Sequence, residues 1–294
     1  MKTLSNGLIS ISVKDHGAEL SSIRCNDKEY LWQADPAFWK RHSPVLFPIV
    51  GSVWNGEYRV DGNTFALGQH GFARDMDFEL LSETDDSVFY VLESNEDTLK
   101  KFPFAFRLEI GYKIYGKNID VIWRVINPST QELPFQIGAH PAFYWPKSDE
   151  ETLKTTNSRG YFRFDTSKDL VKSVITEKGC VDPDASAIVK LNSDGTLKLE
   201  TSTFDNDALV IERDQIHAVT LMDDDKNPYL TVKFAAPLVG LWSPPHKNAP
   251  FVCIEPWYGR CDRIHYTGEY KDKDWIQVLK GGETFESVYT ITIE

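Results

Sequence analysis

Apolar and polar positions alternate along most of this chain with the period of two expected of half-buried strands. Residues 106–114 read Phe-Arg-Leu-Glu-Ile-Gly-Tyr-Lys-Ile, and the pattern resumes over 118–127 after Gly116-Lys117. Two such runs around a two-residue turn predict an antiparallel hairpin. Residues 8–13 alternate apolar side chains with serine, and shorter runs of the same kind occupy 87–93, 133–137, 208–211, 218–222, 229–234, 239–242, 251–254, 275–279 and 287–293. Turn residues separate them, as at Asp61-Gly62-Asn63, Asn127-Pro128-Ser129, 223–228 and Gly281-Gly282.

Helical signals are few. Ser94-Asn95-Glu96-Asp97 before Thr98-Leu99-Lys100-Lys101-Phe102 predicts one short turn with an acidic first turn. The polar stretch 147–158 is expected to be a surface excursion. No repeat, low-complexity segment or dividing linker is visible, so 1–294 is expected to form one domain. Many short strands at this spacing predict an all-β fold, a sandwich or a barrel.

Charge narrows the partners. With 44 acidic against 32 basic side chains the formal net charge is −12, which argues against nucleic acid, whose phosphates demand basic surface. An anionic substrate would need local arginines to be held. No run is apolar for long enough to span a bilayer, and the first seven residues lack the apolar stretch of a signal peptide. The four cysteines form no Cys-x-x-Cys pair, and reduced thiols in a cytoplasmic protein are the expectation.

Three local sequences carry the candidate chemistry. His70 lies in Gly68-Gln69-His70-Gly71-Phe72-Ala73-Arg74, His140 in Ile137-Gly138-Ala139-His140-Pro141, and Glu255 in Phe251-Val252-Cys253-Ile254-Glu255-Pro256-Trp257-Tyr258. Each ends an apolar, strand-like run and is followed by Gly or Pro. Two imidazoles and a carboxylate suit proton transfer on a polar small molecule. A carboxylate set into the apolar register of a strand would have a raised pKa and be a better base at neutral pH. The structural alternatives are a strand-end Glu255 paired with Arg260 or Arg263, and core histidines satisfied by backbone carbonyls. Arg74 offers a fork of donors for hydroxyls or a phosphate, and Trp257 and Tyr258 offer faces to the apolar side of a pyranose. No histidine pair or Cys/His cluster has zinc spacing, although His70, His140 and Glu255 could form a two-histidine–one-carboxylate site from distant positions. There is no Gly-x-Ser-x-Gly and no glycine-rich phosphate loop.

In their order and spacing these motifs resemble the aldose 1-epimerase (galactose mutarotase-like) superfamily, and most of all its LacX-like branch. The resemblance spans nearly the whole chain. It implies a large antiparallel β-sandwich, the supersandwich, and interconversion of the α and β anomers of an aldose with no cofactor and no metal. By the same resemblance, Glu255 matches the general base at the anomeric hydroxyl and His140 the general acid at the ring oxygen. His70 matches the histidine that binds and polarises the sugar. Asp207 matches a substrate-binding aspartate, with Asp205 as its rival. Where galactose mutarotases have an Asn-Arg pair, this chain has Asn55-Gly56. Its His70–Arg74 string is instead similar to hexose-6-phosphate 1-epimerases, with Arg41 near a second arginine of that branch. Substrate contacts are therefore expected from Gln69, Arg74, Asp207, Trp257 and Arg41.

The implied ligand is a sugar or sugar phosphate, handled by a monomer or weak homodimer without nucleic acid or membrane. From ordinary pKa values of about 4.3 for Glu and about 6.5 for His, the base is ionised and the acid protonated between those limits, and a carboxylate beside His140 would widen the window upward. A non-catalytic carbohydrate-binding or regulatory protein on the same fold is the competing reading, since fold does not decide function. A glycoside hydrolase would need two placed carboxylates, and only Glu255 is convincingly placed.

Overall fold

The nine-residue alternation seen at 106–114 falls largely in the seventh strand of the nine-stranded sheet, the larger of the two main antiparallel sheets. The computed structural model describes residues 1–294, apart from the side chain of Glu150. Strands Arg107–Tyr115 and Asn118–Ile126 form the expected hairpin, with Tyr115 opposite Asn118 and Arg107 opposite Ile126. Around it the nine strands run in the order Thr196–Glu200, Ser158–Phe164, Ala218–Met222, Pro228–Phe234, Thr284–Ile293, Asn118–Ile126, Arg107–Tyr115, Ser87–Glu93, Glu79–Glu83. In Asn118–Ile126 every second residue is buried, so Ile119, Val121, Trp123 and Val125 form one apolar face.

The second sheet has eight strands, numbered here in chain order: β1 Val45–Leu46, β2 Ile137–Ala139, β3 Ala142–Tyr144, β4 Leu170–Ile175, β5 Val181–Val189, β6 Leu209–Ile211, β7 Leu238–Trp242 and β8 Phe251–Tyr258. They lie in the order β5-β4-β6-β7-β8-β2-β1, with β3 also paired to β8. Val239, Leu241, Val252, Ile254, Leu209 and Ile211 share the main core with the inward face of the nine-stranded sheet. This is the β-sandwich arrangement. A four-stranded sheet, Lys2–Ser5, Ile9–Val13, Leu20–Cys25 and Lys28–Glu29, adds Leu4, Ile9, Ile11, Val13, Leu20 and Ile23 to the same core.

The opposite face of the eight-stranded sheet is also covered. Leu46, Val50, Ala208, Val210, Leu238 and Trp257 make one cluster on it, and Trp32, Ala142, Ala249, Phe251 and Cys253 another. Strand β8 is therefore buried from Phe251 to Trp257, odd residues facing these clusters and even ones the main core. Burial on both faces explains why 251–254 reads as an unbroken apolar run instead of an alternation.

The predicted short helix is Glu96–Lys101, with Asn95 and Thr98 in a reciprocal capping box. The polar stretch at 147–158 contains a second helix, Glu150–Thr155, capped by Asp149. Six residues give too little periodicity to announce it. The single run expected at 133–137 is divided at Gln136. Leu133–Phe135 pairs with Gln277–Leu279, while β2 joins the eight-stranded sheet. Gln136 holds that division: its Oε1 accepts from Val50 N–H at 3.2 Å and its Nε2 donates to the Asp274 carbonyl at 3.1 Å. No helix among the described residues is long and apolar enough to cross a membrane.

Gly240 on β7 lies under the Trp257 ring, and a Cβ there would come within 2.3 Å of it. Gly240→Val should destabilise the protein by about 1–3 kcal/mol, the range for overpacking a filled site. A urea midpoint equal to that of the wild type would show that the ring moves aside freely.

Candidate active site

Glu255 lies in the middle of β8, opposite Gly240 of β7, on the face turned away from the main core. His140 directly follows β2, the other neighbour of β8. Adjacent strands thus bring the two side chains together, with His140 Nε2 3.4 Å from Glu255 Oε2. Both are buried, at 7% and 1% exposure. Glu255 Oε2 and His140 Nδ1 have no hydrogen-bond partner among the described residues. An unpaired buried carboxylate is costly and calls for a functional account.

His70 comes from a loop that crosses the strand β1 region. Its backbone is left-handed at φ 65°, and the next residue, Gly71, is left-handed too at φ 69°. A Cβ on Gly71 would meet the Phe47 carbonyl oxygen at 2.2 Å, so only glycine lets the loop approach this closely. Gly51 N–H donates to His70 Nδ1 at 3.1 Å. That bond places the neutral ring's proton on Nε2 and makes His70 a donor there.

These three residues line one cavity of about 310 Å³, together with Gln69, Arg74, Asp207 and Trp257. Asp205 is drawn aside, its Oδ1 3.2 Å from His246 Nδ1, so Asp207 is the aspartate at the cavity. Arg41 does not line it. Its guanidinium is held 2.9 Å from Asp75, which also lies 3.8 Å from Arg74 Nε, so Arg41 forms a second layer of charge behind Arg74. Arg74 donates to the Gln69 carbonyl at 2.6 Å, and burial brings its pKa down to about 10. The ion pair considered for Glu255 is not made. Arg260 reaches Glu212 at 2.9 Å and Asp274 at 2.5 Å, and Arg263 is held by the same Asp274.

Two wall residues had no signal in the sequence. Trp39 stacks on the His140 ring at 4.7 Å with planes 27° apart, and Trp242 meets it edge-on at 5.4 Å. Trp39 sits in an irregular loop and Trp242 in an ordinary strand run, so neither carries a motif.

Electrostatics reverse the expectation drawn from ordinary pKa values. Burial first, then the Asp207 charge, raises Glu255 well above its usual value of 4.5. Burial, then the Arg74 guanidinium, lowers His140 from 6.5 to about 3. Burial and the neighbouring His140 lower His70 well below its usual value as well. The nearby carboxylate does not rescue the imidazolium, because desolvation penalises both charges and each partner also faces a like charge. The shifts thus favour the neutral carboxyl on Glu255 and the neutral ring on both histidines.

A cation would find three donors, from His140, Cys253 and Glu255, within 4.8 Å of one another. His70 is not part of this group. Burial holds the Cys253 thiol well above its usual value, and Glu255 likewise, so the set would have to shed two protons to bind an ion. The donors fit proton chemistry better than a resident metal.

Residues 1–292 match the model of the aldose 1-epimerase family. Protein LacX, chromosomal, of Lactococcus lactis subsp. lactis is 33% identical over 299 residues, spanning 99% of this chain and 98% of its own. The crystal structure of a galactose mutarotase related enzyme from Lactobacillus acidophilus has a TM-score of 0.91 at 34% identity, covering 100% of this chain and 97% of that one. A galactose mutarotase-like protein from Lactobacillus casei ATCC 334 also has a TM-score of 0.91, at 27% identity over the full length of both chains.

The raised Glu255 pKa has a stability consequence. Its contribution to folding is fully present below pH 4.5, where the carboxyl is neutral in both states, and is lost as pH rises through the raised folded value. Glu255→Gln, neutral at every pH, should therefore melt above the wild type at pH 8, with the gap closing towards pH 4.5. A pH-independent difference would mean that the carboxylate ionises freely in the folded protein.

Proposed function

The chain belongs to the aldose 1-epimerase family, and from that premise we propose that it is a mutarotase whose proton carriers are Glu255 and His140. The reading supposes that 1–294 act as one domain on a hexose or hexose phosphate. The observation that carries it is the pair of buried, unpaired proton-transfer groups 3.4 Å apart, both facing one monosaccharide-sized cavity.

Ring opening needs a base at the anomeric hydroxyl and an acid at the ring oxygen. Glu255 takes the proton from O1 as the C1–O5 bond breaks and C1=O1 forms, while His140 gives its proton to O5. Rotation about C1–C2 turns the other face of the aldehyde toward O5. Closure then returns the O5 proton to His140 and the Glu255 proton to O1. The cycle begins with carboxylate and imidazolium and passes through carboxylic acid and neutral imidazole while the sugar is open. The surroundings of the pair favour that second arrangement, so the site is matched to the opened sugar more than to the ring. His70 donates Nε2–H to a sugar hydroxyl, and Arg74 and Asp207 bracket the hydroxyls or a phosphate. Trp242 and Trp257 supply apolar walls for the pyranose face.

A protein that only binds sugar has no need for an unpaired buried glutamate, which weakens it without improving recognition. That consideration favours the enzyme over the binding module.

Glu255→Gln and His140→Asn should each cost about 10²–10⁴-fold in rate, the range for one proton-transfer group. Saturation-transfer NMR on glucose, galactose and their 6-phosphates measures this, and a variant keeping a tenth of the wild-type exchange would remove its residue from the mechanism. The pH profile should be bell-shaped but wider than ordinary values give. A second proton arrives only as pH falls towards about 3, and the shared proton leaves only above the usual range of Glu. An alkaline limb near pH 4.5 would contradict the raised carboxyl.

A further inference from the structure

Histidines that move protons are commonly held by a hydrogen bond on the ring nitrogen away from the reaction. His140 has none, since its Nδ1 is buried without a partner among the described residues. Aromatic rings hold it instead. Trp39 stacks on one face at 4.7 Å and 27°, while Trp242 and His70 meet it nearly perpendicular at 5.4 and 5.5 Å.

Trp39 is itself secured. Its backbone N–H donates to the Asp35 carbonyl at 3.0 Å, its carbonyl accepts from Trp32 Nε1 at 2.8 Å, and its ring leans on Trp242 and Phe251, each at 5.9 Å. The turn before it is tied to the facing loop by Lys247, which donates to the Phe38 carbonyl at 3.1 Å. The loop 33–41 belongs to neither large sheet, so the partner of His140 is delivered separately from the strands that carry the proton carriers.

We infer that Trp39 is a positioning residue for His140, fixing the plane of the imidazole and keeping water from it, an inference that rests on the mutarotase reading. A stacked indole suits a group that changes charge in each cycle. It attracts the neutral ring by offset stacking and the imidazolium by its π face. A carboxylate at Nδ1 would instead favour the charged form throughout. The other groups acting on the imidazole are Glu255 from β8, His70 and Arg74 from the loop after Leu67, and the more distant Arg41. Burial is the first cause of its lowered pKa, ahead of Arg74 and Arg41, so exclusion of water by Trp39 works to keep the ring neutral.

The test compares Trp39→Phe and Trp39→Leu with the wild type by anomer exchange, by thermal melting and by NMR titration of the His140 ring. Because Trp39 is only half-buried on a loop, leucine should fold there, and the melting curve verifies it. Trp39→Leu should lower kcat by about 10²-fold, the cost of misplacing a reacting group. KM should hold, and both the acid limb and the ring titration should move up from about 3 towards the usual value of 6.5. Trp39→Phe should restore most of kcat and the low titration point. Three results would each overturn the inference: a raised KM with kcat intact, a phenylalanine variant as impaired as leucine, or an unmoved titration. If the wild type exchanges no anomers on any sugar, the mutarotase reading fails, and the titration still decides whether Trp39 controls His140.

Discussion

The structure is organised around one buried carboxylate, Glu255, set in the wall of a cavity with one oxygen left without a hydrogen-bond partner among the described residues. Glu255 sits on a strand buried on both faces, and the two arginines that follow it in the chain are engaged elsewhere. Arg260, which lines the same cavity, is held by Glu212 and Asp274, and Arg263 by Asp274. Lys273 is buried against Asp262, whose other oxygen accepts from Trp54 N–H at 2.8 Å. Together they leave Glu255 only His140 to share a proton with. A buried charge left unmatched weakens a fold, so this arrangement concentrates a destabilising element at the site where a substrate can relieve it.

From that constraint follows the protonation state of the whole site. Low dielectric penalises carboxylate and imidazolium alike, and the nearest fixed charges, Asp207 toward Glu255 and Arg74 toward His140, push the same way. The surroundings therefore favour the neutral form of both groups. Neutral His70, its tautomer set by Gly51, adds a donor without adding a charge.

Packing supplies the room for this chemistry. Glycines at 138 and 240 let the Trp257 ring lie close to the sheet, and its Nε1 donates to the Ala139 carbonyl at 3.2 Å. The indole thereby becomes the cavity floor instead of filling the cavity. Loops from distant parts of the chain, 33–41, 68–74 and 243–248, contribute to the cavity wall; Lys247 ties the third to the first through the Phe38 carbonyl, and His246 ties it to Asp205. The strands that present Glu255 and His140 belong to one sheet, and the walls reach them from loops outside it.

Much of this was legible before any coordinates. Alternation at 106–114 and 118–127 specified a hairpin because one face is apolar and one is not, and period two is a local property. His70, His140 and Glu255 stood out because a polar residue at the end of an apolar run is a local contradiction, and Gly71, Pro141 and Pro256 marked the turns and constraints around them. What was not legible is whatever depends on two segments meeting. The division of 133–137 at Gln136 is made by Val50 and Asp274, and the stack of Trp39 on His140 joins residues a hundred positions apart without a motif. The exclusion of Arg41 from the cavity is made by Asp75. The direction of the pKa shifts could not be taken from ordinary side-chain values, because burial and neighbouring charges exist only in the folded chain. Residue type and spacing determined which ionisable groups the chain offers, and the tertiary structure alone decided which way their pKa values move, since desolvation acts through space and not along the sequence.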